Sequence, residues 1–243
     1  MKQSGVLHGD ETGWRVNGRT HWLWRFAAER ATYYLIDRSR GSPALSKFFT
    51  AAFDGVLVTD FWAAYSAVKC AARQACLPHL FRELDKTDED DRTEAWAAFS
   101  KKLKRLLRDA VRLGKCDDLP DERFASRRAR LDPRLRDLFD APTENGNVRR
   151  LQKRLRRYQD ALFTFLDHSG VPSDNNHAER EIRPAVIMRK NSLANRSDNG
   201  ANVQAILMSV YRTLKLRGLD PLDTIVTALR AYVRTGALPP LPS

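Results

Sequence analysis

Three scarcities limit what this sequence can encode. It has only three cysteines, Cys70, Cys76 and Cys116, which are odd in number and unevenly spaced, so reduced thiols are expected and a disulfide framework is not. It has no apolar run near the roughly 20 residues that a membrane-spanning helix needs. The first residues, MKQSGVLHGDE, lack the apolar core of a signal peptide. The sequence therefore predicts a cytoplasmic protein without a membrane partner.

Acidic residues are also in deficit, with 30 Asp and Glu against 42 Lys and Arg. The resulting net charge of +12 favours a polyanionic partner, most simply nucleic acid. A soluble protein that is merely basic is the alternative. The chain of 243 residues is 42% hydrophobic, which is enough for a large folded domain with a real core.

The first sixty residues are rich in strand signals. Apolar and polar residues alternate on both sides of Asn17-Gly18, a strong hairpin turn, and the alternation places Trp22, Trp24 and Phe26 on one face. The predicted elements are strands at 6–16, 20–27, 31–37 and 55–60, with a helix at about 43–52. A further short helix and a short strand are predicted at 61–68 and 73–77. Three antiparallel strands, a helix and a buried strand are typical of a ribonuclease H-like mixed α/β fold.

The middle of the chain is helical and basic. After an acidic stretch at 85–91, which predicts a solvated turn, apolar residues recur at helical spacing, and further helices are predicted after Pro120 and at 148–167. The basic excess between Lys101 and Arg157 is about ten residues. We interpret this region as a helical insertion with a basic face; plain solvated helix surfaces are the alternative. The apolar residues of the first helix are Trp96, Phe99, Leu103, Leu106, Leu107 and Ala110.

A late stretch, SDNNHAEREIRPAVIMRKN, starts at Ser173. Ser173 or Asp174 can cap a helix that begins near Asn175, and Pro184 predicts that this helix ends after about two turns. Helical phase places Glu179 at the edge of the apolar face and Glu181 towards water. Glu179 is then either an ion-pair partner of Arg183 or a metal ligand. Amphipathic helices follow at 200–216, with Val203, Ile206, Leu207, Val210 and Leu214 on its apolar face, and at 221–233.

Three acids stand out by position: Asp10 in the first strand, Asp60 at the end of the buried strand, and Glu179. Carboxylates are hard oxygen ligands suited to Mg²⁺ or Mn²⁺, and a pair of such ions supports in-line displacement at a phosphodiester. Asp60 has an alternative role as the N-cap of the following helix. Spacing alone does not show that the three acids meet.

Five phrases carry a resemblance that covers nearly the whole chain: HGDETGW, LVTDFWAAY, CLPHLFREL, DNNHAEREIRP and RKNSLANRSDNGA. They resemble transposases of the insertion sequence 66 family, in the Asp-Asp-Glu superfamily. The resemblance implies a catalytic triad of Asp10, Asp60 and Glu179 with Mg²⁺, for which Mn²⁺ can substitute. It also implies a ribonuclease H-like core at 1–85, a helical basic insertion at 86–170, and the rest of the core with C-terminal helices at 171–243.

Two further groups are candidate sites. Cys76 and His79 form a Cys-x-x-His pair, but a structural zinc site needs four ligands and the sequence offers no second close pair, so zinc is not favoured. The resemblance assigns this pair, with Arg82, a structural or DNA-contacting role. Basic and amide side chains near Glu179 are expected to bind the DNA backbone, with pairing to Glu181 or Asp198 as the alternative. They are Arg180, Arg183, Arg189, Lys190 and Asn191.

The expected function is Mg²⁺-dependent cleavage of a DNA strand at element ends and transfer of the 3′-hydroxyl to target DNA. The alternatives are a non-catalytic DNA-binding remnant and a structure-specific nuclease on the same fold. The expected partners are DNA, a second copy of the chain or a larger assembly of copies, and accessory proteins of the same element. When bound to DNA, the protein is expected in the nucleoid. The resemblance implies a longer chain, with an N-terminal region that recognises DNA before the first catalytic Asp. Here only nine residues precede Asp10, so we expect a truncated chain or a start assigned too late.

Overall fold

A computed structural model describes Met1 and residues 4–116, 118–192 and 195–242. Two compact units are present. The first, called the sheet unit, comprises 1–57, 62–71 and 175–243, and the second, called the helical unit, comprises 58–61 and 72–174. The predicted domain boundaries at 86 and 170 stay a prediction. Leu193 and Ala194, within one of the family phrases, lie outside the described residues.

The sheet has five strands in the order β3-β2-β1-β4-β5. β1 and β2 are joined by a tight turn in which Asn17 and Gly18 both have positive φ, 47° and 71°, and β1, β2 and β3 pair antiparallel. This order is that of the ribonuclease H-like fold, so the predicted mixed α/β class is confirmed. The strands are β1 Val6–Val16, β2 Arg19–Ala28, β3 Ala31–Asp37, β4 Phe53–Thr59 and β5 Cys70–Ala75.

Helices account for most of the remaining chain. A 3₁₀ turn at Ala63–Ala67 replaces the short helix predicted after Asp60, and a second one lies at Gln159–Ala161. The α-helices are α1 Ser42–Phe48, α2 Leu77–Asp90, α3 Glu94–Leu113, α4 Asp121–Ala129, α5 Leu131–Asp140, α6 Gly146–Tyr158, α7 Thr164–Asp167, α8 Asn176–Ser192, α9 Asp198–Leu216 and α10 Pro221–Thr235. None of the helices in the described part of the chain is long and apolar enough to cross a membrane.

The helical unit has an apolar core. The six residues predicted from the periodicity of α3 are all buried, and they pack with leucines of α5 and α6. The acidic turn predicted at 85–91 is wrong, because 85–90 belong to α2. The Asp88 carboxylate accepts hydrogen bonds from Trp96, Ser100 and Lys104 of α3, so α2 tolerates its acidic end.

The helix predicted at 148–167 is interrupted after Tyr158. The buried Gln74 side chain donates to the Leu162 carbonyl and accepts from the Phe165 N–H, and the Thr164 hydroxyl donates to the Arg73 carbonyl. These bonds tie the segment to β5 and divide the helix. A single long helix could not satisfy them, and local sequence does not show them.

The sheet unit has two apolar clusters. One contains Trp24, Phe26 and Phe48 with Trp22 against them, which confirms the face predicted for the β2 aromatics. The other contains Trp14, Leu23 and Tyr34 of the sheet with residues of α8 and α9. These two helices therefore cover part of the sheet, and α8 carries Glu179.

The predicted end of α8 at Pro184 is wrong, because the helix continues to Ser192 with the proline inside it. Proline removes one backbone donor and normally breaks a helix. Here Ile182 and Ala185 are buried in the second apolar cluster, on either side of Pro184. The Tyr34 hydroxyl also donates to the Glu181 carbonyl at 2.6 Å. These tertiary contacts outweigh the local preference for a break.

Candidate active site

Asp10 lies in the middle of β1 and is half-buried. It stands opposite Arg25 in the β1–β2 register. Its Oδ1 accepts the Glu11 backbone N–H at 2.9 Å. Asp10 is thus held on a rigid strand with part of its carboxylate oriented by the backbone.

Glu11, the next residue, has a different role. Its side chain is only 1% exposed and accepts hydrogen bonds from Arg40 at 3.1 Å and from the Tyr65 hydroxyl at 2.9 Å. The Arg40 guanidinium lies over the rings of Trp22 and Trp62, 4.3 and 4.0 Å from their centroids. Adjacent strand residues point to opposite faces of a sheet, so these contacts assign Glu11 to the fold on the face opposite Asp10.

Glu179 lies in the first turn of α8 and is half-buried. The buried Asn175, just before the helix, fixes this turn. Its Nδ2 donates to the Gly9 carbonyl at 2.8 Å, and its Oδ1 lies 3.0 Å from His8 Nδ1. The Asn175 carbonyl accepts the Glu179 N–H at 3.0 Å. We call these contacts the Asn175 bridge, because they join the residues beside Asp10 to the turn that holds Glu179.

Arg25 makes a second link between the same elements. It is completely buried and donates to the Ala178 carbonyl at 2.5 Å and to Thr32 Oγ1 at 3.3 Å. Burial lowers the pKa of Arg25 to about 10, against the opposing influence of Tyr34, Glu181 and Asp10. It therefore stays protonated at neutral pH and places a fixed positive charge near Asp10. No local pattern predicts this role, since Ala178 is 153 positions away.

Two histidines flank the acids. The rings of His8 and His177 meet edge-on with centroids 5.1 Å apart. Burial lowers the pKa of His177, and its Nε2 lies 3.2 Å from the Ala28 carbonyl. His177 is therefore neutral at physiological pH and adds no charge to the surroundings of Glu179.

Glu181 was expected to face water, and this prediction is wrong. Its side chain is 9% exposed and forms an ion pair with Arg212 of α9 at 2.7 Å. Arg212 contacts both carboxylate oxygens, in the two-pronged geometry that suits a guanidinium. Helical phase separates Glu179 from Glu181, but α9 covers the face that the sequence assigned to solvent. Glu181 serves to hold α8 against α9.

Asp60 belongs to the helical unit and follows the last residue of β4. It is half-buried, and its carbonyl accepts the Thr59 hydroxyl at 3.0 Å. The Thr59 carbonyl accepts the Cys76 N–H at 2.8 Å, which fixes the end of β4. Trp62, not Asp60, occupies the N-cap position of the next helical turn. The alternative role of Asp60 as a helix cap is therefore wrong.

The residues predicted to bind DNA differ in exposure. Arg180, Arg183, Lys190 and Asn191 are exposed on α8. Arg189 is half-buried and donates to Thr12 Oγ1 at 3.2 Å and to the Gly13 carbonyl. Glu181 and Asp198 were the alternative ion-pair partners for these basic residues. Both acids instead pair elsewhere, Glu181 with Arg212 and Asp198 with Arg38.

The helical unit holds the remaining candidates. Arg82 is exposed on α2, whereas Cys76 is buried and His79 half-buried at the start of that helix. Helix α6 has no acidic residue and presents a row of exposed basic side chains. They are Arg149, Arg150, Lys153, Arg156 and Arg157.

The family model described as "Transposase IS66 family" matches residues 1–203. Three uncharacterized proteins of Sinorhizobium fredii (strain NBRC 101917 / NGR234) are similar. Protein y4qI is 28% identical over 235 residues, covering 86% of this chain and 43% of that protein. Protein y4jD is 27% identical over 229 residues, covering 86% and 44%. Protein y4hP is 23% identical over 256 residues, covering 88% and 46%. The chain spans less than half the length of these relatives.

Two solved structures of the HTLV-2 integrase catalytic core domain in complex with magnesium, in dimeric and trimeric form, are also similar. Their sequence identities are 14% and 13%, with TM-scores of 0.24 and 0.23. Each match covers 59% of this chain and 90% of the integrase chain. At TM-scores this low, the similarity supports no conclusion about the fold or function of this chain.

Proposed function

Because the chain belongs to the IS66 transposase family, we propose that it is the catalytic part of a DNA transposase. In this role it cuts a DNA strand at an element end and directs the freed 3′-hydroxyl to target DNA. The observation that carries the proposal is the Asn175 bridge, which uses buried polar groups to join the surroundings of Asp10 and Glu179. Burying polar groups costs free energy unless they are hydrogen-bonded, and a fully bonded network fixes the positions of the residues that it joins.

The donor set fits a hard divalent cation. Asp10, Asp60 and Glu179 are all half-buried carboxylates, and carboxylate oxygen is the ligand that Mg²⁺ and Mn²⁺ prefer. We assign these three residues as the ligands of Mg²⁺, for which Mn²⁺ can substitute. When bound, such ions would activate the attacking water in cleavage or the 3′-hydroxyl in joining, and would stabilise the leaving oxygen of the phosphodiester.

The residues around the acids prepare them for this task. The buried positive charge of Arg25 lies near Asp10, and the Asn175 bridge holds the first turn of α8 to β1. The neutral His177 leaves the local charge to the carboxylates. Preorganised charges of this kind need no rearrangement when substrate arrives.

Exposed basic residues supply the attraction for DNA. Arg180, Arg183, Lys190 and Asn191 extend along the helix that carries Glu179 and are assigned to the phosphate backbone near the reacting bond, together with Arg189. Arg82 and the basic row of α6 are assigned to the same role in the helical unit. These contacts position DNA without reading its sequence, so we expect affinity to fall steeply with salt.

The test is incubation of the purified chain with labelled element-end DNA and Mg²⁺ or Mn²⁺. Asp10→Asn, Asp60→Asn and Glu179→Gln are expected to abolish cleavage and joining, whereas Glu29→Gln, at an exposed acid between β2 and β3, keeps both. Cleavage without joining would favour the nuclease. Salt-sensitive binding without cleavage would favour the DNA-binding remnant. Metal-dependent activity that survives all three substitutions would refute the assigned triad.

A further inference from the structure

The last two helices expose apolar side chains to an unusual degree. Among the described residues, the exposed large apolar side chains all lie between Ile187 and Leu241. On α9, Ile206 and Leu207 are each 54% exposed, and on α10 Leu222 is 71% and Val233 84% exposed. Concentrated apolar exposure of this kind marks an interaction surface.

The orientation of α9 is the opposite of the one its sequence predicts. Of the apolar face Val203, Ile206, Leu207, Val210 and Leu214, only Leu214 is buried. The helix instead packs against the sheet through its small face, whose alanines Ala201 and Ala205 lie in the same cluster as Met208.

Hydrogen bonds fix this orientation. The Ser209 hydroxyl accepts the Tyr34 N–H at 2.8 Å, and the Thr213 hydroxyl accepts the Thr32 N–H at 3.1 Å. Tyr34 and Thr32 belong to β3, the edge strand, whose outward N–H groups need partners. Small alanines permit the close approach that these bonds require. Rotating α9 to bury its large apolar face would break them, so that face remains available for a partner.

Helix α10 carries a regular apolar seam. Leu222, Val226, Leu229 and Val233 follow one another at intervals of four, three and four residues, with Leu and Val alternating. This is the heptad spacing of a coiled-coil seam, which places the four apolar side chains along one side of the helix. Helix α10 packs on α9, yet its only fully buried residue is Pro221. A single amphipathic helix of this length is marginal without a packed seam.

The charges on α10 indicate how the partner lies. Helix α10 has Asp223 in its first turn and the exposed Arg230 seven residues later, both beside the seam. A second copy aligned antiparallel brings Asp223 of each copy towards Arg230 of the other. The helix dipoles are then also opposed, which is favourable. This surface is therefore self-complementary about a two-fold axis.

We propose that α9 and α10 form a two-fold interface with a second copy of this chain, with the α10 seam at its centre. The proposal requires neither DNA nor metal. It is therefore independent of the proposed catalytic function, and each can fail without the other.

The test is sedimentation equilibrium of the purified full chain without DNA, over a range of concentrations. The parent chain is expected to dimerise. Leu229→Asp, in the seam, should raise the dimer Kd by on the order of a hundredfold, as loss of a central anchor does. Thr227→Asp adds the same charge on an exposed position outside the seam and should leave the Kd unchanged. Ile206→Asp tests the α9 part of the surface, and circular dichroism of each variant checks that the helices remain.

Charge reversal tests the orientation. Asp223→Arg and Arg230→Asp should each weaken the dimer, and the double variant should restore it, because antiparallel copies bring these positions together. A dimer whose Kd is unaffected by Leu229→Asp would overturn the proposal. A parent chain that stays monomeric at every concentration would also overturn it, and would leave the surface to another part of a longer protein.

Discussion

The two units use their polar side chains in contrasting ways. In the sheet unit, buried polar groups join residues far apart in sequence: Asn175 and His8 are 167 positions apart, and Tyr34 and Glu181 are 147 apart. In the helical unit, an apolar cluster fills most of the interior, the buried Gln74 bonds the segment at Leu162 and Phe165, and ion pairs such as Arg128 with Asp132 lie at the surface.

This difference indicates that the sheet unit is built to position particular side chains, whereas the helical unit is built mainly for stability. Apolar packing tolerates changes of shape as long as volume is kept, whereas a buried hydrogen bond fixes both partners in direction and distance. The sheet unit needs such fixing because it holds two of the proposed metal ligands. The helical unit holds the third proposed ligand, Asp60, and otherwise supplies a stable apolar interior beneath exposed basic side chains. Four paired comparisons test this contrast, from the largest expected effect to the smallest.

The sharpest contrast lies between neighbours on β1. Asp10→Asn should reduce DNA cleavage by on the order of a thousandfold or more, with little loss of stability, because it removes a proposed metal ligand. Glu11→Gln should instead destabilise the fold by about 1–3 kcal/mol, since Arg40 and Tyr65 lose a charged acceptor. Cleavage assays and thermal melts on both variants measure the two effects. The reverse pattern would show that the roles of the two acids have been exchanged.

The apolar core of the helical unit should respond through stability alone. Leu107 is fully buried, and Leu107→Ala should lower the free energy of unfolding by about 2–5 kcal/mol. Leu107→Met, which keeps the volume, should cost less than about 1.5 kcal/mol. Denaturant titrations compare the two. Equal losses would argue against close packing around this position.

The Asn175 bridge should respond through both readouts. Asn175→Ala removes the bonds to Gly9 and His8 and is expected to cost about 1–3 kcal/mol of stability and about 10- to 100-fold of cleavage. Asn202→Ala, at an exposed position of α9, is the control and should change neither by a similar amount. If the two variants behave alike, the bridge does not position Glu179.

The smallest effect is expected on α6. Lys153→Ala should change stability by less than about 0.5 kcal/mol. It should weaken binding to every DNA sequence alike and lower the salt dependence of log K by about 0.9 if the side chain contacts one phosphate. Lys86→Ala, which removes the same charge from α2, is the comparison. DNA affinity measured at several salt concentrations distinguishes them, and equal slopes would remove α6 from the DNA surface.

Periodicity predicted the parts of the molecule that local sequence determines. The strands of the first hairpin and the buried face of α3 follow from alternation and helical spacing, and both are confirmed. Motif resemblance, rather than spacing, selected Asp10 over Glu11. The roles of Arg25 and Asn175 were not predictable, because each depends on partners more than 140 positions away.

The errors have the same origin. Pro184 signals a break, but packing on the sheet carries α8 across it. The large apolar face of α9 signals burial, but Ser209 and Thr213 turn the small face to β3. In both cases a tertiary contact outweighed a correct local preference.

The central claim, that Asp10 and Glu179 belong to one metal site, is tested most directly by Mn²⁺ titration followed by electron paramagnetic resonance of the free ion. The parent chain should bind Mn²⁺, and added Mg²⁺ should displace it. Asp10→Asn and Glu179→Gln should each lower the number of Mn²⁺ ions bound per chain. The double variant should lower that number no further than the more affected single variant, since both substitutions remove the same site. An unchanged number of bound ions in both single variants, or decreases in that number that simply add, would contradict the claim.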